Sequence, residues 1–477
     1  MLLVALETHM RETPHAPALT GADRTLTWQQ LHDAVNSTAS EWQQKGIHRL
    51  ALALENGPEW VIADLACLKA GIVTIPVPDF FSQQQLEWLL ESSGADAQLG
   101  GSPQPGWRTD SCELGTLRRR FLAQPPALPA GTAKITFTSG TTAAPKGVCL
   151  SRSGMTLTAR ALSNKINNLA IARHLVTLPL ATLMENLCGV YVPLLLGVEM
   201  VVLPAAQTGF NGSGQFDTDV FQQALQQWQP QSLVLVPELL RMMMLIASRC
   251  PQAVAELQFV AVGGGKIAPA LLLFARALGL PIYEGYGLAE CGSVVAINTP
   301  NDDLPGSVGR PLPGIQLALG DKNELLVSSS SQLLGYLGEA PHHGVVCTGD
   351  AATIDEQGYL HITGRIKNIQ VNAFGRNFSP EWIEAEAMLC PAVIRVVVFG
   401  NGLVTNVALV HARAGEEMVA REQLRVLSAR LPDYAAIPTL IFTEGISSAE
   451  LLTANGRPRR SAIYKHFGPL LQRASGE

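Results

Sequence analysis

Apolar and polar residues alternate at helical spacing through TLTWQQLHDAVNSTASEWQQKGI, residues 25–47, and predict a helix with one buried face. The next stretch, LALALENGPEWVIADLACLKAGIVTIPV at 50–77, reads as strand, turn, helix and strand, the order of a parallel βαβ unit. The same rhythm returns at 174–181, at SLVLVPELLRMMMLIA (232–247) and at 257–287, where short β-rich runs precede longer apolar helices. From about residue 300 helical spacing fades, and short strands such as ELLVSS and GYLHITG among glycines and prolines predict a smaller β-rich region. After Lys367 a helix, two strands and a helix are expected from EWIEAEAML, VIRVVVFG, NVALVHA and EEMVAREQLRVLSARL. The expected fold is therefore α/β: a large region of several sheets flanked by helices over 1–366, and a compact α+β domain over 367–477. Arg118–Arg120, beside Pro125, Pro126 and Pro129, reads as a solvated connector.

At 477 residues the chain supports more than one core, and its 47% apolar content excludes a largely disordered protein. A net charge of -6 gives no global attraction to nucleic acid or an anionic membrane surface, so an anionic ligand has to be held locally. The N-terminus lacks the pattern of a secretory signal and no apolar run is long enough to span a bilayer, so a cytosolic location is the expectation. Eight cysteines are scattered with no CxxC pair, which argues against a disulfide framework or zinc site and for reduced thiols.

The sharpest chemical signal is ITFTSGTTAAPKGVCLS, residues 135–151. A β-rich run ends in Thr138, Ser139, Gly140, Thr141 and Thr142 and passes through Pro145 to Lys146 and Gly147, supplying backbone amides, hydroxyls and one ammonium for a polyphosphate. The hydroxyls precede the lysine, so the GxxxxGK[ST] arrangement does not fit. Here the chain resembles the adenylate-forming superfamily of acyl-CoA synthetases, luciferases and nonribosomal-peptide adenylation domains, whose hallmark is TSGTTxxPKG. The resemblance runs on in family order through YEGYGLAE (283–290), TGD (348–350), TGRIKN (363–368) and NGRPRR (455–460), and LPLATLMENLCGVYVPLLLG looks most like the fatty-acyl, long-chain branch.

The resemblance implies ATP and Mg2+ as cosubstrate and cofactor, a carboxylic acid, most simply a fatty acid, as substrate, and coenzyme A or an acyl-carrier-protein phosphopantetheine as thiol acceptor. It implies that Thr138, Ser139, Gly140, Thr141, Thr142 and Lys146 hold phosphates, and that Gly263, Gly264 and Gly265 let the backbone approach adenine and the acyl chain. Tyr286 with Gly287 would meet adenine, Glu290 the magnesium ion, and Asp350 with Arg365 the ribose. Lys367 stands at the family's hinge, Gly375 in the loop that approaches the thiol, and Thr182, Leu183, Met184, Glu185, Leu187 and Val190 beside the acyl chain, with Thr182 in place of the branch's usual histidine. Ala289 occupies the place of a phosphate-binding threonine, and Arg457 the place of the lysine that bridges carboxylate and α-phosphate. Arginine keeps the charge but not the compact donor geometry, so the exchange is not conservative. An acyl-carrier-protein ligase, for which Arg457, Arg459 and Arg460 hint at a basic patch, a β-lactone-forming relative and a non-catalytic binding relative stand as alternatives.

Overall fold

The computed structural model describes residues 1–138, 145–211, 215–373, 376–452 and 457–474. The first predicted helix forms at Trp28–Gln44, opened by a capping box in which the Thr27 hydroxyl accepts from the Gln30 amide and the Gln30 side chain accepts from the Thr27 amide. Its inward face carries Trp28, Leu31, Val35 and Trp42, all buried. The βαβ unit follows as predicted: strands Arg49–Ala53 and Val73–Pro76 pair in parallel across the helix Pro58–Ala70. They belong, among the described residues, to an eight-stranded sheet that also holds Thr132–Thr138, Lys146–Ser151 and Gly335–Tyr336.

A second, nine-stranded sheet has parallel strands Arg173–Leu175, Ser232–Leu235, Phe259–Val262 and Ile282–Tyr286 side by side. The carboxyl ends of the last three run straight into Val236, Gly263 and Gly287, so three chain segments change direction at one edge, where open α/β sheets place their ligands. The β-rich region beyond residue 300 is a four-stranded antiparallel sheet in which Val346–Ile354 pairs with Leu360–Arg365.

Beyond Lys367 the chain builds two hydrophobic clusters of its own, around Ile383, Val396 and Leu424 and around Val397, Ile463 and Leu471. The sheet between them has three strands rather than the two expected: Thr439–Phe442 pairs in parallel with Val407–Ala412, which pairs antiparallel with Val393–Phe399. The expectation for Arg118–Arg120 also needs correction. Arg118 and Arg119 end the strand Gly115–Arg119, and the three guanidiniums donate to backbone carbonyls of Gly100, of Lys45, and of Leu90 and Ala95, stitching loops to the sheet. The arginine run is structural because carbonyls left over at strand and helix ends need donors.

Lys134, on the strand leading to the Thr138 loop, is 1% exposed. Its ammonium lies 2.8 Å from Asp64 of the helix Pro58–Ala70, donates to Tyr191 Oη at 3.0 Å and to Asn186, and faces the rings of Trp60 and Tyr191. Asp64 in turn accepts from Asn186 and Tyr191. Removing one member of such a pair strands a buried charge and typically costs about 3–5 kcal/mol, whereas replacing both by apolar residues of similar size is often neutral. Urea unfolding should therefore show Asp64→Ala or Lys134→Met losing stability of that order and the double variant Lys134→Met with Asp64→Leu regaining most of it. Singles as mild as the double would show that the pair is not held as a unit.

Candidate functional site

The antiparallel register that faces Asp350 with Arg365 puts a carboxylate and a guanidinium side by side at the sheet edge. Arg365 Nε lies 2.7 Å from Asp350 Oδ1, and Tyr286, at the end of its parallel strand, donates its hydroxyl to Oδ2 at 2.6 Å. Asp350 is 3% exposed; burial pushes its pKa up, and the opposing pull comes from Arg365, the Tyr286 hydroxyl and Arg457. Burial, then the Asp350 charge, pushes the Tyr286 phenol well above its ordinary range, so it remains a donor. Next to it Gly287 is obligatory: a Cβ there would sit 1.7 Å from Ser293 O. Gly264 has φ +85°, a left-handed conformation that favours glycine, and opens the turn after Phe259–Val262.

The loop expected to hold phosphates is closed by the pair Thr138 and Lys146, opposite one another on strands Thr132–Thr138 and Lys146–Ser151. Ser139, Gly140, Thr141 and Thr142 lie outside the described residues, as does Gly375. Lys146 is half exposed, with its ammonium 4.7 Å from the ring centre of Tyr336 and 3.5 Å from Glu339. Tyr336 donates its hydroxyl to Glu290 Oε1 at 3.1 Å. Lys146 and Glu290, distant in sequence, are thus joined through Tyr336, a residue that sequence reasoning missed because a lone tyrosine in LLGYLGEA carries no motif.

From the C-terminal part, Arg457 reaches the same edge: a Cβ built on Gly264 would lie 3.9 Å from its Nη2. Desolvation and then the like charge of Arg365 push its pKa down, with Glu238 and Asp350 opposing. Arg457 as a whole residue is exposed, and its charge feels Arg365 on one side and Glu238, Asp350 and Glu381 on the other. Arg460 is a different case. It donates to both oxygens of Glu384 and to Val398 O, which ties it to the fold of its own domain and removes it as a stand-in for Arg457. Lys367 sits in the turn Ile366–Asn368 between the four-stranded sheet and the C-terminal part, where burial lowers its pKa.

The segment expected beside the acyl chain folds as a short helix Leu183–Asn186, a π-helical turn Leu187–Tyr191 and a helix Val192–Leu196. Leu183, Leu187 and Val190 point into the main core, and the Thr182 hydroxyl donates back to Pro179 O. Met184 faces the glycine turn, its sulfur 3.3 Å from where a Gly263 Cβ would lie. Glu185 is fully buried, accepts from the Thr177 amide at 2.9 Å, and its Oε2 makes no hydrogen bond. An apolar cavity does lie under this segment, but it is lined by Cys188, Val192 and Leu196 rather than by the six residues expected.

The family model described as AMP-binding enzyme matches residues 6–337. The chain belongs to this family. Asp350, Arg365 and Arg457 lie beyond that match, so geometry alone links them to the AMP-binding core. Curated relatives include the long-chain-fatty-acid–CoA ligase FadD15 of Mycobacterium tuberculosis (strain ATCC 25618 / H37Rv), 28% identical over 431 residues that cover 72% of this chain and 69% of the relative. The feruloyl-CoA synthase of an Amycolatopsis species is 26% identical over 496 residues, covering 96% and 97%. Among solved structures, the anthranilate CoA ligase AuaEII in complex with anthranoyl-AMP superposes with a TM-score of 0.82 at 18% identity, covering 98% of this chain and 97% of that one, which shows the shared fold. Among the described residues no helix is long and apolar enough to cross a membrane, and all eight cysteines are unpaired.

Burial raises the pKa of Glu185 to about 8 from an ordinary value of 4.5. The folded state then keeps a proton that the unfolded chain gives up, so this contribution to stability is complete below about pH 4.5 and is lost as pH rises through about 8. Glu185→Gln keeps the acceptor for Thr177 and removes the titration. In thermal melts its midpoint, relative to the unaltered enzyme, should rise steadily from pH 5 to pH 8.5, about the span of that titration. A constant offset across that range would mean that Glu185 stays ionised in the fold.

Proposed function

We propose that this AMP-binding enzyme joins a carboxylic acid to coenzyme A in two steps. The acid attacks the α-phosphorus of ATP, giving acyl-AMP and pyrophosphate; the thiol then attacks the acyl carbon, giving the thioester and AMP. The relatives named above act on fatty, feruloyl and anthranilate acids, so they differ in the acid and have CoA ligation in common. The observation that carries the reading is the convergence of Tyr286, Asp350, Arg365 and Arg457 at one sheet edge. Asp350, held by Arg365, has lone pairs for the ribose hydroxyls, and Tyr286 offers adenine a ring fixed through its own hydroxyl. Arg457 meets the developing charge where carboxylate and α-phosphate come together; Ala289 supplies no side-chain donor there, which increases the demand on it. Lys146 and the loop before it take the outer phosphates.

Magnesium fits this site. It is held by one or two carboxylates with substrate phosphates and water, and Glu290, fixed by Tyr336, is one such carboxylate. When bound, the ion neutralises charge on phosphate oxygens. The chain turns at Lys367, the position we take as the hinge between a domain of residues 1–366 and one of 367–477, so that the second half-reaction uses a different face of the C-terminal domain. Coenzyme A is favoured over a carrier protein because Arg460, one of three arginines that hinted at a basic docking patch, is bound to Glu384. An aliphatic acid is favoured by the apolar character of the cavity under Cys188 and Val192.

ATP–pyrophosphate exchange over a panel of acids tests the reaction directly. Lys146→Ala should abolish exchange while moving the melting midpoint little, since an exposed charge changes stability within about ±0.5 kcal/mol. Arg457→Ala should slow acyl-AMP formation about 10²–10³-fold. The same variant should form thioester from supplied acyl-AMP at near the unaltered rate, and Arg457→Lys should recover adenylation. Unaltered rates in both half-reactions for Arg457→Ala would remove it from the chemistry.

A further inference from the structure

The apolar cavity has a regular construction. One wall is the face of the strand Phe259–Val262 that carries Phe259 and Ala261, in line with Gly263 beyond its end. The other is the helical segment, where Met184, Cys188, Val192 and Leu196 follow one another at intervals of four. Met184 meets Gly263 at the top of these two rows and neither lines the cavity, which begins one step below them at Cys188 and Ala261. Its floor is one row of the parallel sheet: His174 is in register with Ser232, and Ser232 with Phe259. From Gly263 to Phe259 is four residues of extended chain, about 13 Å at ~3.3 Å each.

The floor is not apolar. His174 is 4% exposed and lines the cavity; its Nδ1 lies 2.8 Å from Ser232 Oγ, and its Nε2 makes no hydrogen bond within the protein. A buried ring nitrogen without a partner is costly in a closed apolar site, and a ligand that supplies the partner removes the cost. Burial pushes the imidazole pKa down to about 3, so the ring is neutral and offers a negative group no charge. Lys165, which also borders the cavity, is already paired with Asp302 at 3.0 Å.

We propose that this cavity is the bed of the acyl chain and that His174 makes the enzyme select a medium-length aliphatic acid carrying an uncharged oxygen function, hydroxyl or carbonyl, near the end remote from the carboxyl. The inference rests on the ligase reading for its connection to catalysis, but the cavity can be probed without turnover. A hydroxyl satisfies either tautomer of His174, whereas a ketone satisfies only the one that carries its proton on Nε2, so comparing the two also reports the tautomer.

Calorimetric titration of the full chain, saturated with an ATP analogue whose α,β-bridge is methylene, would compare dodecanoic acid, whose extended chain matches the length from Gly263 to Phe259, its penultimate-carbon hydroxy and oxo derivatives, and dodecanedioic acid. The hydroxy acid should bind about tenfold more tightly than dodecanoic acid, the worth of one net buried hydrogen bond, and the diacid more weakly than either. His174→Leu should erase the preference for the oxygenated acid. Should that variant fail to fold, Ala261→Leu, which fills the channel halfway down, should lower the ratio of dodecanoic to butanoic affinity at least tenfold. Equal affinities for hydroxy, oxo and plain dodecanoic acid, a preference that survives His174→Leu, an unchanged ratio in Ala261→Leu, or no binding of any of these acids would each overturn the proposal. Pyrophosphate exchange run on the same acids separates the two readings: exchange without the oxygen preference defeats only the His174 inference, and binding without exchange defeats only the ligase reading.

Discussion

The buried contact between Lys134 and Asp64 ties together three elements that border the site. Lys134 belongs to the strand that delivers the Thr138 loop, Asp64 to the helix of the first βαβ unit, and Asn186 and Tyr191 to the segment that carries Met184 and Cys188. An ammonium in an apolar interior tolerates only one arrangement of its partners, because every lost contact leaves a desolvated charge. The eight-stranded sheet and the acyl-side helix are thereby set at fixed positions relative to one another. A purely apolar interface would let them slide by a side chain's width.

The nucleotide edge uses charge in the opposite way. Arg365 is neutralised by Asp350, and Arg457 brings a second guanidinium from the C-terminal part, its charge opposed by Arg365 and answered by Glu238 and Asp350. Among the groups described, Glu290 stands apart, oriented by the Tyr336 hydroxyl rather than by a cation.

Much of the fold was legible in the sequence because its elements are locally consistent: the capping residues Thr27 and Gln30, the Pro58 that begins a helix, and the β-rich runs before Gly263 and Gly287 all carry their signals within a few residues. Asp350, Arg365, Tyr286 and Glu290 were found through the order of short motifs, and the structure brings the first three into direct contact. What stayed hidden depends on pairing across the chain. Tyr336 matters only because its two-residue strand lies beside Lys146–Ser151, and Arg118–Arg120 are anchors only because strand ends leave carbonyls within reach. Which residues between Thr182 and Leu196 face the cavity depends on the π-helical turn Leu187–Tyr191, which carries no signal in composition. His174 and Ser232 sit in strands that sequence reasoning recognised, yet their meeting is a matter of register, which composition does not encode.

The C-terminal part is also held by Arg241, on the helix Pro237–Arg249. Its guanidinium donates to Val393 O at 2.8 Å, to Cys390 O at 3.4 Å and to Pro391 O at 3.5 Å. These three acceptors are main-chain oxygens and the Met388 sulfur, 3.9 Å away, is a fourth partner, so this clasp recognises mainly the path of the backbone. Cys390, Ala392 and Val393 are themselves packed in the C-terminal core, so this stretch is held from one side by that core and from the other by a single arginine. Neutral carbonyls also release a guanidinium more readily than a carboxylate does, so this clasp yields more easily than an ion pair in the same place would.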